Sequence, residues 1–521
     1  MKKGLSMLLI LSMILSLTAC GGAAAKNGKK ANTADAAAAK ESVVVATASE
    51  PKNYFPYNPD VNTNMDDVPV LQNVYETVIK IMPDGSHEPL LAESWEISED
   101  GLEYTLHIRD DVYFHNGKKM TAEDVAWSLN TSASTATGTT LLINYGAAEA
   151  IDENTVVVHL TSPYAPFLNS LASRVAVVAD KDYLDEVGIE GYEAVPIGTG
   201  AYKYVNRISG DRVELEANEA YWGGAPAIKK ITLKIMTDVN TQMMALENGE
   251  VDVLLNASIP PLLKLPEDGS LKWSSTESHM IAALNINCKK GPGADINFRR
   301  ALMSGINKEE VIMGVYEGMA EPLDIYMASS FSGHPDKGTY ETVPYDLEAA
   351  KAYLKASNYN GEEFMIATVS GTKNESAAQI IQGQLIELGI NCSVNALDSA
   401  SFFQLVNYGT GEFGAQLRAT GVSVLDADGI YTIFSSDYLN KGGIYDCGRP
   451  TPELDKLIMA GRSESDPEKR KLIYTEANNY ITEHAYLVDL YCDQSVVAYN
   501  EAIRGVEPRT LAGLYYFNEW N

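Results

Sequence analysis

The chain has 521 residues, 45% of them hydrophobic and 9% aromatic, enough to bury a large core, which excludes a disordered or fibrous protein. Forty Lys+Arg against 70 Asp+Glu give a formal charge of −30, which argues against a nucleic-acid partner, because that affinity comes mainly from basic groups on phosphates. Five cysteines without a Cys-x-x-Cys pair make neither a disulfide scaffold nor a cysteine-rich zinc site.

The N-terminus reads as an address. Lys2 and Lys3 precede the apolar run MLLILSMILSL, the length of a signal-peptide core and too short to span a bilayer. Leu17-Thr18-Ala19-Cys20-Gly21 follows and resembles the bacterial lipobox. The resemblance implies cleavage after residue 19 and acylation of Cys20, and several acyl chains give stable anchoring. The alternative is a plain secretory peptide with a chance cysteine. Residues 21–40 lack large apolar side chains and are expected to form a flexible leash with roughly 25 Å of reach. No later segment reaches the apolar length of a membrane helix.

From Ser42 onward strand and helix patterns interleave. VVVA at 43–46 predicts a buried strand, and EYTLHIR at 103–109 and KITLKIM at 230–236 alternate with period two. Thr121 with Asp124 opens a helix whose Ala122, Val125, Ala126 and Leu129 share a face. Asp346 opens another, with Ala350, Tyr353 and Leu354 on one side, and Asp466-Pro467 starts a third, striped by Ile473, Ala477, Tyr480 and Ile481. SAAQIIQGQLIELG at 376–389 predicts a helix stopped by glycine, followed by the strand-like INCSV. The fold class is α/β, in more than one lobe. Gly198-Thr199-Gly200 reads as a flexible loop in which glycine permits backbone angles other residues resist.

Enzyme chemistry finds little footing. Gly421-Val422-Ser423 lacks the closing glycine of a nucleophile elbow, Walker A and His-Glu-x-x-His are absent, and the seven histidines show no i, i+4 pair. The Gly-x-Gly-x-x-Gly at 409–414 follows the helix-like SFFQLVNY, where a dinucleotide loop must follow a strand, so it reads as a turn. Trp95, Trp127 and Trp222 sit in patterned segments and are expected to supply core area before ligand contact. Neither a cofactor nor a metal cage is implied. Of Cys288, Cys392, Cys447 and Cys492, four free thiols is the simpler expectation, with Cys447–Cys492 a conceivable pair.

Three long blocks carry a family resemblance: PLLAESWEISEDGLEYTLHIRDDVYFHNGKKMTAEDVAWSL (89–129), PIGTGAYKYVNRISGDRVELEANEAYWGGAPAIKKITLKI (196–235) and LNINCKKGPGADINFRRALMSGINKEEVI (284–312). Together with 346–359, 379–417 and 449–491 they resemble, in order, the solute-binding proteins of ABC importers, in the large peptide- and nickel-binding class. The resemblance implies a two-lobed, hinged, periplasmic-binding-protein-like body of type II with an inserted subdomain. Domain Ia would comprise 42–75, 197–276 and 494–521, domain Ib 76–196 and domain II 277–493, with hinge crossings near Thr276 and Gln494. Residues 1–19 would be the signal peptide and 20–41 the lipidated cysteine and linker.

Peptide-binding relatives place an aspartate in a Trp-x-x-Asp-x-x-Asp/Glu-Pro-like stretch of domain II. LRATGVSVLDADGIYTIF (417–434) departs from it, with Val422 near the Trp, Gly429 near the Pro and Leu425 at the simplest match to the Asp. The resemblance implies Asp426 as the anchor of a peptide amino group, Asp428 as its substitute and Arg418 as a carboxylate partner. The competing reading is a solvated loop whose acids cap its turn. Tyr54, Phe55 and Tyr57 are expected to line the Ia side of the cleft. The implied function is capture of dipeptides or oligopeptides by a monomeric, lipid-anchored protein on the outer face of the cytoplasmic membrane, and delivery to an ABC permease and ATPase. A chelated metal such as nickel, a sugar or a small amine as cargo, a peptide-sensing lipoprotein, and a secreted enzyme are the alternatives.

Overall fold

Alternating β-branched runs build one large sheet in the computed structural model, which describes residues 40–521 apart from 84, 408–411, 423, 441–450 and 512. Ser42–Thr47 is a strand, as its apolar run predicts, Glu103–Ile108 and Lys230–Ile235 are strands, as their period-two patterns predict, and Tyr104, Leu106 and Ile108 all face inward. Ser42–Thr47 pairs in parallel with Lys230–Ile235 and with Val253–Leu255, so both of its edges are bonded, and its inner run Val43 to Ala46 is apolar. Ten strands follow in the order Cys392–Leu397, Phe364–Val369, Ala415–Gly421, Leu271–Ile286, Leu487–Asn500, Val253–Leu255, Ser42–Thr47, Lys230–Ile235, Arg212–Ala217, Tyr202–Ile208. A separate four-stranded antiparallel sheet lies within residues 92–160.

Two long antiparallel strands, Leu271–Ile286 and Leu487–Asn500, run through the middle of the large sheet. Their register holds to Glu277 opposite Gln494 and resumes at Ile281 opposite Cys492. The intervening chain leaves the ladder, and His279 N–H donates to the Thr510 carbonyl at 2.8 Å instead. Such an irregularity bends a strand pair locally. The irregularity lies next to the pairs Thr276–Ser495 and Glu277–Gln494.

Local signals set the helix starts. Thr121 and Asp124 form a reciprocal capping box on Ala122–Ala133, and Asp346 and Asp466 cap Leu347–Ala356 and Pro467–Glu483. Gly389 ends Lys373–Leu388 in the left-handed conformation, three residues of helix preceding the expected start. One face differs from expectation: Ala350 is buried but Tyr353 points to solvent, because only one edge of that helix packs. Gly198 and Gly200 have ordinary negative-φ backbones; glycine stands there because a Cβ would come within 2.2 Å of the Val74 carbonyl oxygen and 2.3 Å of that of Asn73. The segment is packed against its neighbours, with His115 N–H bonded to the Gly198 carbonyl at 2.9 Å.

Cys288, Cys392 and Cys492 form no disulfide among the described residues. The signal peptide, Cys20, nearly all of the linker, residues 409–411 of the glycine motif and Cys447 lie outside the described residues. No helix among the described residues is long and apolar enough to cross a membrane.

Candidate functional site

The site is a cavity of about 910 Å³ between two walls distant in sequence. One wall carries His87, from the short strand His87–Pro89, and Ala165, Pro166, Leu168 and Asn169 at the start of the helix Phe167–Leu171. The other is built from the connection 322–340, Asp426, and the start of the helix Pro467–Glu483. Glu277, the last residue before the register break, faces the same space. The walls also touch directly: Ala165 N–H donates to the Arg462 carbonyl at 2.9 Å, and one apolar cluster draws on both sides, from Val78 and Phe167 to Phe331 and Tyr431.

Asp426 caps the short helix Ala427–Tyr431, accepting from Asp428 N–H at 2.8 Å. Its carboxylate also meets the Arg470 guanidinium in a two-pronged pair, Nη1 to Oδ2 at 2.6 Å and Nη2 to Oδ1. The side chains are 1% and 6% exposed, so the pair is nearly dry. Arg470 Nε donates to the Gly461 carbonyl at 2.8 Å, which fixes the fork. Asp428 is fully buried, with Oδ1 accepting from Arg462 Nε at 3.0 Å. Burial holds its carboxyl above the ordinary range, although the arginine pulls the other way. Both acids are therefore occupied by internal arginines. The capping half of the loop reading matches this geometry; solvation of the acids does not, because the helix Pro467–Glu483 covers them.

Among the expected site residues, Asp426 reaches the cavity wall, Asp428 lies behind it, and the others lie elsewhere. Arg418 is buried on the strand Ala415–Gly421, its guanidinium 5.4 Å from the Phe403 ring centre. Tyr54, Phe55 and Tyr57 fill an apolar core with Tyr192, Tyr204 and Trp127. The Tyr54 and Tyr57 hydroxyls donate to the backbone carbonyls of Pro51 and Val177. Their phenols serve as core area with a satisfied polar end. Trp222 donates to Glu76 at 3.0 Å with the Arg109 guanidinium 4.1 Å from its ring centre, and Trp95 and Trp127 flank core clusters.

The cavity's polar lining comes mostly from residues without a sequence motif. His87 Nε2 lies 2.9 Å from Asn169 Oδ1, and His334 Nδ1 2.7 Å from the Pro335 carbonyl; burial lowers both imidazole pKa values, so both rings are neutral near pH 7. Lys471 bridges Asp336 and Glu468, each at 3.1 Å. Ser329 Oγ donates to Glu277 at 2.6 Å. One sequence signal points there: the helix Lys308–Tyr316 is followed by no further helix or strand until Leu347–Ala356, and structureless connections of that length are usually functional.

No three-residue cluster of His, Cys, Asp and Glu suited to a metal occurs among the described residues. The lining offers charge and hydrogen bonds to a solute.

Comparison with known proteins places this geometry. Heme-binding protein A of Haemophilus influenzae is 26% identical over 505 residues, covering 90% of each chain. The dipeptide-binding protein of Escherichia coli K12 is 26% identical over 430 residues, 76% of this chain and 79% of that one. The solved structure of HbpA2 from Haemophilus parasuis superposes with a TM-score of 0.81 at 23% identity, covering 92% of this chain and 99% of that one. The two-lobed periplasmic-binding-protein fold expected from the sequence is the fold observed. Residues 87–441 match the family model described as bacterial extracellular solute-binding proteins, family 5, middle region, and the chain belongs to that family.

Proposed function

We propose that the protein is the lipid-anchored, extracytoplasmic binding component of an ABC importer, and that it captures short peptides in the 910 Å³ cavity. The carrying observation is the cavity itself: a space with charged and hydrogen-bonding lining bounded by two walls that contact each other, beside a break in the long strand pair Leu271–Ile286 and Leu487–Asn500. Its volume falls within the range of sites for compact ligands, about 300 to 1,000 Å³. The relative named as a dipeptide-binding protein supports peptide cargo.

In this reading residues 42–75, 197–276 and 494–521 form domain Ia, 76–196 domain Ib and 277–493 domain II. The walls separate by bending at the Glu277–Ile281 irregularity and close on the solute, a hinge movement that presents a different surface to the permease. Cys20 carries the acyl anchor, residues 21–40 tether a monomeric body to the outer face of the cytoplasmic membrane, and a permease and ATPase complete the importer. Asp426, paired with Arg470, contributes to the wall as a neutral unit. Arg418, Tyr54, Phe55 and Tyr57 act through the fold that supports the walls.

A non-peptide solute in the same cavity is the second reading, supported by the relative named as heme-binding. Native mass spectrometry of the purified protein, followed by thermal shift against peptide pools, separates the two. Co-purified peptide masses, or melting raised by peptides and not by heme, metal chelates, sugars or amines, support peptide capture; a response confined to the latter refutes it. Loss of peptide uptake on gene deletion distinguishes an importer from a sensor. Intact mass of membrane-extracted protein tests acylation at Cys20.

A further inference from the structure

We infer that Glu277 receives the positively charged group of the captured solute, so that the cavity selects compact ligands carrying a cation. This deepens the capture reading above and rests on it. Five carboxylates line the cavity (Glu277, Asp324, Asp336, Asp426 and Glu468) against three cations (Lys337, Arg470 and Lys471). Arg470 is consumed by Asp426, and Lys471 is shared between Asp336 and Glu468. Glu277 and Asp324 have no cation within salt-bridge distance among the described residues. The lining thus carries more carboxylates than cations, with Glu277, Asp324 and Lys337 outside these pairs, while the acid expected from sequence to hold an amino group is already neutralised.

Glu277 is the better placed of the two. Asp324 is exposed and feels the Lys308 ammonium, whereas Glu277 is half-buried. Among the described residues its carboxylate takes one hydrogen bond, from Ser329 Oγ at 2.6 Å, and an ionised carboxylate has capacity for more donors. The neighbouring Ser330 hydroxyl, also on the wall, is buried without a partner and provides an acceptor for the same ammonium. Gly85, on the opposite wall, sits close enough that a Cβ would lie 3.3 Å from the Ser330 carbonyl, so the corner is roofed by the other lobe. Glu277 is also the last paired residue before the strand irregularity, so a cation held there bridges the hinge to the connection that carries Ser329 and Ser330.

The test uses a pool of di- and tripeptides in three forms, free, N-acetylated and C-amidated, titrated against the purified protein and its Glu277→Gln variant by calorimetry. Free and amidated peptides should bind and acetylated ones should not, and Glu277→Gln should weaken the first two about tenfold or more, the size expected for loss of one charged hydrogen bond. The melting temperature of the unliganded variant, and a parallel Asp324→Asn variant, distinguish a lost contact from a lost fold. Equal binding of acetylated and free peptides, or equal affinity in well-folded Glu277→Gln, overturns this inference and leaves peptide capture standing. Binding of none of the three forms by the unsubstituted protein overturns both.

Discussion

Asp426→Asn removes one charge, keeps the side chain's shape and leaves the Arg470 guanidinium without its paired counter-ion in a nearly dry site, with the Asn amide oxygen, the Gly461 carbonyl and the Tyr474 hydroxyl as neutral acceptors. With charge centres about 4 Å apart and an effective dielectric near 20, the lost attraction is about 4 kcal/mol. Breaking one member of a buried pair characteristically costs about 3–5 kcal/mol. At about 2.1 cal/mol/K per residue over roughly 480 residues, the unfolding entropy is near 1 kcal/mol/K, so the melting temperature should fall by about 3–5 °C. Arg470→Met should cost a similar amount, and the double variant should recover at least about 1 kcal/mol of the sum, because neither charge is then left alone. Scanning calorimetry of the four proteins closes the cycle. An Asp426→Asn protein that melts within about 1 °C of the parent but has lost peptide affinity would refute the pairing argument and restore Asp426 as an amino-group anchor.

Glu76 is buried beneath Trp222, Tyr221 and Thr199 with Arg109 nearby, and burial pushes its carboxyl from 4.5 up to about 7. The folded state therefore holds a proton that the unfolded chain has released: that stabilisation is complete below pH 4.5 and fades by about 3 kcal/mol as pH rises to 7. Glu76→Gln should flatten this part of the melting-temperature profile, leaving the smaller slope from Asp489, which burial lifts to about 6; an unchanged profile would exclude Glu76 as its source. Gly200→Ala forces a methyl to 2.3 Å from the Asn73 carbonyl, and the resulting shift of packed backbone should cost about 1–3 kcal/mol, read as a drop in urea midpoint with unchanged slope. Alkylation without reductant should label Cys288, Cys392 and Cys492 fully once the protein is denatured, and Cys288 ahead of the two buried thiols while it is folded; a protected thiol after denaturation would contradict the free assignments.

The parts of the fold visible in the sequence are those whose causes are local. Thr121 and Asp124 lie three residues apart, Gly389 directly follows the helix it ends, and the alternation of Tyr104, Leu106 and Ile108 reports a single strand's inward face. Asp426 is legible to the same depth: its capping role is encoded within two residues, at Asp428 N–H. Its electrostatic role is not, since Arg470 is 44 positions away on another helix. Aromatic residues defeat sequence reading for a related reason. Tyr54 and Tyr57 carry the same ring and hydroxyl whether they hold a ligand or fill a core, and only the Pro51 and Val177 carbonyls, met through the fold, decide it.

Glu277 shows why the most informative site residue left no pattern. Side chains from Leu271 to Glu277 are all partly exposed, so neither face of that half-strand reads as apolar and the acid appears as one polar residue among several. What distinguishes it is a sum over the whole cavity: Arg470 and Lys471 from one helix pair with three of the five carboxylates, and of the two that remain, Glu277 and Asp324, Glu277 is the one beside the strand break. In this chain backbone pairing and capping set the two walls, whereas the charge balance rests on a few side chains: Glu277, the 322–340 connection and the first turn of Pro467–Glu483. Substituting those outside the buried Asp426–Arg470 pair should change which solutes bind while leaving the strand pairing of the sheet intact, read as altered affinity at an unchanged melting temperature.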